Sequence, residues 1–531
     1  MYQRFSSAED LSGFDYIIIG SGIGGLTTAI FLSKAGKKVL VLERHYVPGG
    51  FSHTFKRRDG FMWDVGVHYV GNMDKETSFL RKIFNYLTHD KLDWEFMGEV
   101  YDEINIGGEK YQLPAGKEKL RDKLRAYFPD EGHAIDTYLE HVARAAKYSS
   151  LFFLQKSFPR IIQFTLGALF KRWFRKYSSR TTYDVLSSIT SNQKLISVLC
   201  SQCGNYGLPP RKSSFAAHAV VITHFIDGGY YPVGGADKIG KHMIDVLHKH
   251  GGQLRIRAEV EEIKIENNRV QGLVIDGKFI SCKNVISNAG VQNTYSKLIS
   301  SNIGKEIRTK LNTIKPSTAH LCLYIGLNAS DVDLNLPKHN VWYYENSDFD
   351  GIIEKHIHDA NAPLKFAYIS FPSAKDPAWK ADHPAKATIQ AVGVANYDWF
   401  KAYENNAWMK RGDAYDAMKE GFKQKMLQKL FELFPQLKEH IACVEVSSPL
   451  STKHFTNYQH GEIYGLEHSP DRFNLNCLLP KSTIKGLYFV GQDIVTVGVG
   501  GALASGLLCA TSILKWRISG QFKAIGKAQF S

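Results

Sequence analysis

An apolar run, Phe14-Asp15-Tyr16-Ile17-Ile18-Ile19, feeds directly into Gly20-Ser21-Gly22-Ile23-Gly24-Gly25, and residues 26–35 have helical composition up to Gly36. A second apolar run, 38–42, ends on Glu43. Strand, glycine-rich turn, helix and a second strand closing on an acid together predict a βαβ unit that holds a dinucleotide. Each residue has its own physical task. Gly20 permits the tight turn, Gly22 lets backbone approach a pyrophosphate, and Gly25 allows helix and strand to pack closely. With Ser21, Ile23 and Gly24 they lead into a helix start whose free N–H groups and partial positive charge suit phosphate. Glu43 is placed to accept hydrogen bonds from ribose hydroxyls, and its charge repels a 2′-phosphate, so FAD or NAD is expected rather than NADP.

Further along, Gly486-Leu487-Tyr488-Phe489-Val490 reads as a strand ending in Gly491-Gln492-Asp493, and Gly500-Gly501-Ala502 opens an apolar helix to about residue 514. This resembles the second FAD signature of the phytoene-desaturase and amine-oxidase superfamily. Asp493 then suits the ribityl hydroxyls, and the helix start would stabilise negative charge on a reduced flavin. The same resemblance assigns Arg44, Gly49, Gly50, Phe51 and Ser52 to a loop around the pyrophosphate and ribityl chain. It also implies a backbone contact to adenine near Val260 and places Asn288 and Ala289 near the pyrophosphate.

The blocks Phe61 to Gly71 (Phe-Met-Trp-Asp-Val-Gly-Val-His-Tyr-Val-Gly), Tyr231-Pro232 with Gly234-Gly235, Phe371 to Pro377 (Phe-Pro-Ser-Ala-Lys-Asp-Pro) and Gly461 to His468 (Gly-Glu-Ile-Tyr-Gly-Leu-Glu-His) extend the likeness. They resemble the retinol saturase and carotenoid isomerase branch of the phytoene-desaturase-like flavoproteins, with retinol saturases the nearest. The resemblance implies an FAD-dependent oxidoreductase that reduces, isomerises or desaturates C=C bonds of a hydrophobic polyene, isoprenoid or unsaturated lipid at a membrane. An unactivated C=C is a poor hydride acceptor, so a saturase needs a proton donor and a hydride donor held together over a rigid apolar tunnel. Asp64, His68, Glu462 and His468 are the candidate acids; Asp64 and His68 can equally hold backbone or cofactor in place. A flavin-bearing lipid carrier without catalysis is the alternative of another class. No second nucleotide fingerprint is visible, so electrons are expected to pass through a diffusing carrier or a membrane quinone.

The expected fold is α/β: an extended-FAD-binding Rossmann-type domain, a mixed-sheet substrate domain and a helical, membrane-binding insertion. The FAD domain is discontinuous (1–75, 225–300, 450–515). Residues 76–224 form the helical insertion, 300–450 the substrate domain and 516–531 a basic tail. At 531 residues, with 44% hydrophobic and 22% charged residues, the chain is long enough for several cores and too evenly composed for disorder. The net charge of +14 is uneven: no acid occurs between Glu140 and Asp184, where most of the surplus lies. Within the basic segment 156–180, Ile162, Leu166, Leu169, Phe170, Trp173 and Tyr177 form a helical stripe opposite Arg160, Gln163, Lys171 and Arg175. That helix either packs on the core or lies in a headgroup plane; no nucleic-acid-binding module surrounds it. Seven cysteines, an odd number, imply free thiols. Cys200 and Cys203 alone make no metal site. About fourteen polar residues precede the first strand and no stretch reaches the roughly 20 apolar residues of a membrane span. A cytoplasmic location, peripheral on a membrane, is expected.

Overall fold

The computed structural model describes residues 2–75 and 77–527; the last four residues of the expected basic tail, 528–531, lie outside them. A six-stranded parallel sheet forms around the first fingerprint. Its order is Gln3–Arg4, Gln253–Ile256, Val39–Glu43, Tyr16–Ile19, Val285–Ser287 and Leu487–Phe489. Both faces of its centre are covered, which is why these strands are continuous apolar runs. Ile18, Val39 and Val41 pack with Leu26, Ile30, Ile239 and Leu507 of the helices Ile23–Lys34, Asp237–Lys249 and Gly498–Leu514. Ile17, Ile19, Leu40 and Leu42 face Val260, Leu273 and Ile280 of an antiparallel sheet, Val260–Glu266, Arg269–Ile275 and Lys278–Ser281.

The second large sheet has seven strands, in the order Ile441–Ser447, Ala319–Leu327, Ala387–Ala395, Phe366–Ser370, Asn340–Tyr344, Val100–Ile106 and Glu109–Pro114. All neighbours are antiparallel except Asn340–Tyr344 with Val100–Ile106. Strand alternation gives this sheet two uses. Leu321, Leu323 and Ile325 turn toward Phe422, Met426 and Leu430 of the helix Asp413–Leu433. His320, Cys322 and Tyr324, one residue out of phase, wall a cavity on the other side.

Three expectations are corrected. The insertion 76–224 is not only helical: Val100–Ile106 and Glu109–Pro114 form a hairpin through Gly107-Gly108 that extends the seven-stranded sheet. Alternation and a Gly-Gly turn carried that signal. The single helix expected around 160–177 is two, Arg160–Phe164 and Leu166–Ser178, broken at Thr165 with φ −91° and ψ −85°. Among the described residues one helical run, 498–526, with mean hydropathy 1.3, is long and apolar enough to cross a membrane, against the expectation that none would be. Half of its apolar window is buried, and Thr28 Oγ1 donates to Gly506 O at 3.0 Å across the contact with Ile23–Lys34, as in a core helix.

Candidate functional site

A cavity of about 950 Å³ runs over the C-terminal ends of the parallel strands. Gly20, Gly22, Ile23, Gly24, Glu43, Arg44, Gly49, Gly50, Phe51 and Ser52 line it from the N-terminal part of the chain. Val260, Asn288, Ala289, Gly491, Asp493 and Ala502 line it from the later segments. A Cβ at Gly25 would lie 2.3 Å from Gly20 O, and one at Gly22 would lie 2.8 Å from Asn288 Nδ2. Gly25 itself lies behind the wall, as does Ser21, whose N–H and Oγ donate to Glu43 Oε2 at 2.9 and 2.7 Å. Ser21 Oγ also accepts the Gly49 N–H at 3.0 Å, which ties the turn to the loop after the second strand. Gly500 and Gly501 line a second cavity instead.

These residues fit a dinucleotide. Both helices that start at the cavity, Ile23–Lys34 and Gly498–Leu514, have no side-chain N-cap and no acid in the first turn, so their N–H groups remain available to phosphate or to a reduced flavin. Asp493 is 2% exposed, and its carboxylate accepts the Leu466 and Val291 N–H groups at 2.9 and 2.8 Å.

The second cavity, about 1260 Å³, is walled by Val220, Val221, Phe225, Val495, Val497, Leu507 and Leu508, with Leu154, Phe79 and Trp516 at its outer end. The two cavities share Gly66, Val67, His68, Asn205, Tyr464, Gly498 and Val499. An apolar channel therefore meets the dinucleotide cleft at one seam.

The backbone at that seam is pinned from three sides. Gln390 Nε2 donates to Asp64 O at 2.6 Å, Lys375 Nζ donates to His68 O at 3.1 Å, and Val70 N donates to Tyr230 O at 2.8 Å. The His68 ring packs edge-on against Tyr368, with centroids 5.2 Å apart. Burial, then the Lys375 charge, push its pKa down to about 3, so the imidazole is neutral at ordinary pH. Beneath it lies a charged network absent from the sequence expectations. Lys375 Nζ also donates to Asn340 Oδ1 at 2.5 Å and Ser370 Oγ at 2.8 Å. Asn340 Nδ2 donates to Asp102 Oδ1 at 2.9 Å, and Asp102 Oδ2 accepts Tyr69 OH at 3.0 Å and Gln202 Nε2 at 2.6 Å. Burial lowers Lys375 to about 7 and raises Asp102 to about 6.

Of the four candidate acids, His68 alone lines either large cavity. Asp64 is 2% exposed; its carboxylate takes Tyr231 OH and the Ala236 N–H, 2.9 Å for the latter, and burial raises it to about 7. It holds the 230–236 turn. Glu462 accepts the His460 N–H at 2.8 Å, and burial raises it to about 7. His468 is buried, and burial, then Arg472, hold its pKa well below the usual imidazole value. Asn205, Tyr464, Tyr368 and Lys375 are the seam residues the sequence did not single out. Lys375 sits in the Phe-Pro-Ser-Ala-Lys-Asp block, which was its one visible signal.

A family model described as an NAD(P)-binding Rossmann-like domain matches residues 18–87. All-trans-retinol 13,14-reductase of Danio rerio is 33% identical over 96% of this chain and 88% of its own. An inactive all-trans-retinol 13,14-reductase of the same fish is 32% identical over 97% and 88%. Among solved structures, cyclohexylamine oxidase from Brevibacterium oxydans superposes with a TM-score of 0.62 at 14% identity, covering 96% of this chain and 99% of that one. That last likeness bears on the fold.

Proposed function

The chain belongs to the all-trans-retinol 13,14-reductase family of FAD-dependent oxidoreductases that act on C=C bonds, and from that premise we propose that it reduces a C=C bond of a membrane-dissolved polyene or isoprenoid. The observation that carries this reading is the seam: an apolar channel opens onto the dinucleotide cleft where His68, Asn205 and Tyr464 serve both. FAD, when bound, supplies the hydride at its ring. The residues of the chain do the remaining work. Gly22, Gly24 and the uncapped start of Ile23–Lys34 would hold the phosphates, the uncapped start of Gly498–Leu514 would face the flavin, and Asp493 would take the ribityl chain. The apolar walls exclude water and align an extended substrate. His68, its carbonyl fixed by Lys375 and its ring by Tyr368, presents a neutral imidazole at the seam to hold or pass a proton. Asp64, Glu462 and His468 act from behind the wall as positioning groups.

Access from a bilayer fits the outer end. Ile161 and Phe164 are 80% and 82% exposed, and Leu166, Leu169 and Trp173 are also exposed, beside exposed Arg172, Arg175 and Lys176. Leu154, Phe158, Pro159 and Gln163, from the same region, wall the channel. Apolar side chains ringed by bases suit an anionic membrane surface, and a membrane quinone or diffusing carrier then exchanges electrons with the flavin.

The test is an anaerobic incubation of chemically reduced holoenzyme with a membrane lipid extract, read by mass spectrometry. Reduction adds two hydrogens to a polyene product. Unchanged mass with altered retention identifies isomerisation, and loss of two hydrogens desaturation; either replaces the saturase reading. No converted lipid of any kind rejects action on polyenes.

A further inference from the structure

Lys156 follows the long helix Gly132–Gln155 at its C-terminal end. It is only 9% exposed, and its Nζ donates to Ile494 O at 2.7 Å. The Phe152 and Phe153 rings lie 5.2 and 5.3 Å from Nζ, and the side chain walls the apolar channel beside Phe153 and Val495. An ammonium carries three N–H donors. One carbonyl takes one of them, and the aromatic faces offer attraction without a compensating charge.

No carboxylate is paired with Lys156 among the described residues; the charged group that acts on it most is Arg472, another cation. Arg472 is 1% exposed and spends its guanidinium on Leu466 O and Gln492 O at 2.5 and 2.7 Å. The other lysines on the channel wall, Lys481 and Lys515, are exposed to solvent. A buried ammonium without an anion is costly, and the cost is relieved by losing the proton or by gaining a partner. Burial and then Arg472 lower its pKa to about 7, so both routes are open near neutral pH. The channel is the direction from which a partner can come.

We infer that Lys156 is the docking point for a carboxylate head group on an apolar chain lying in the channel, so that the site takes polyene or isoprenoid acids in preference to the matching alcohols. The inference rests on the channel being the substrate's path. It adds a specificity determinant on the channel wall outside the seam: an ion pair at Lys156 fixes how far the chain slides in, and hence which bond reaches His68.

The holoenzyme is titrated with all-trans-retinoic acid and all-trans-retinol, two chains that differ in the head group, with binding read from ligand absorbance and flavin perturbation. At pH 6 the acid is expected to bind at least about tenfold tighter than the alcohol. Lys156→Met is expected to bring that ratio to about one with alcohol affinity and FAD content unchanged, and Lys156→Arg to retain it. In the unaltered protein the ratio is expected to fall between pH 6 and 9 as the ammonium is lost. Of the other titratable groups facing Lys156, burial raises Cys477 above its usual value and lowers Arg472 to about 10, which leaves it charged over this range. His68 and His224 on the channel wall are held down to about 3 and 4, so they remain neutral throughout. A ratio that is the same in Lys156→Met, or that does not move with pH in the unaltered protein, overturns the inference. The pH arm decides it even if the variant does not fold. Failure of both ligands to bind removes the channel reading itself, a separate result.

Discussion

His68 is set at the seam by its backbone as much as by its ring: Lys375 holds its carbonyl and Tyr368 its edge. Its neutral imidazole offers one N–H and one lone pair at pH 7. His68→Gln is expected to lower kcat by about 100-fold, within the span for a positioned proton-transfer group, while FAD absorbance per protein stays unchanged; equal kcat removes His68 from the proton path. Asp64 makes the opposite kind of statement. Its folded-state pKa of about 7 lies above the unfolded value of about 4, so its contribution to stability is fully present below about pH 4 and is lost as pH rises through about 7. Relative to the unaltered protein, Asp64→Asn should therefore gain in melting temperature from pH 4 to 7 and hold a constant offset above it. A flat difference across that range contradicts the assignment.

At the scale of elements, the helices Arg160–Phe164 and Leu166–Ser178 separate two uses of one amphipathic sequence. Phe174 and Tyr177 are buried, whereas Ile161 and Phe164, across the break at Thr165, project outward. Ile161→Glu with Phe164→Glu should abolish co-sedimentation with anionic liposomes while changing stability by no more than about 0.5 kcal/mol, as for surface positions generally. Undiminished co-sedimentation would exclude this face. The parallel strands and the first helix were legible in the sequence because a local spacing, Gly20 to Gly25 and on to Glu43, encodes them. The stripe at Ile162, Leu166, Leu169 and Trp173 was legible too, but periodicity states that a helix has an apolar face, not whether protein or solvent meets it. The hairpin 100–114 was missed because composition averaged over a mainly helical segment hides two strands whose partner, Asn340–Tyr344, lies far along the chain. Asn205 was illegible for the same reason, and the blocks that hold Tyr464 and Lys375 carried a family likeness but not the meeting of these side chains, because the seam exists only once distant segments have folded together.

The whole molecule is a parallel nucleotide layer joined to a mixed sheet, with an insertion that walls the outer part of the channel. Because the cofactor's predicted ligands come from residues 20–52, 260–289 and 491–502, FAD is expected to tie the discontinuous segments together. In free FAD at 100 times its dissociation constant the folded state should gain about 2.7 kcal/mol over apoprotein. Calorimetric scans against FAD concentration check this, and a melting temperature independent of FAD would show that the segments do not share it.

The wall common to both chambers has one more consequence. Whatever lies in the greasy arm would also cover the seam at His68, Asn205 and Tyr464, so dissolved dioxygen is expected to reach a bound flavin more slowly when that arm is full. After bleaching, the pace at which yellow returns in air thus becomes a gauge of occupancy, even for a guest that is never converted.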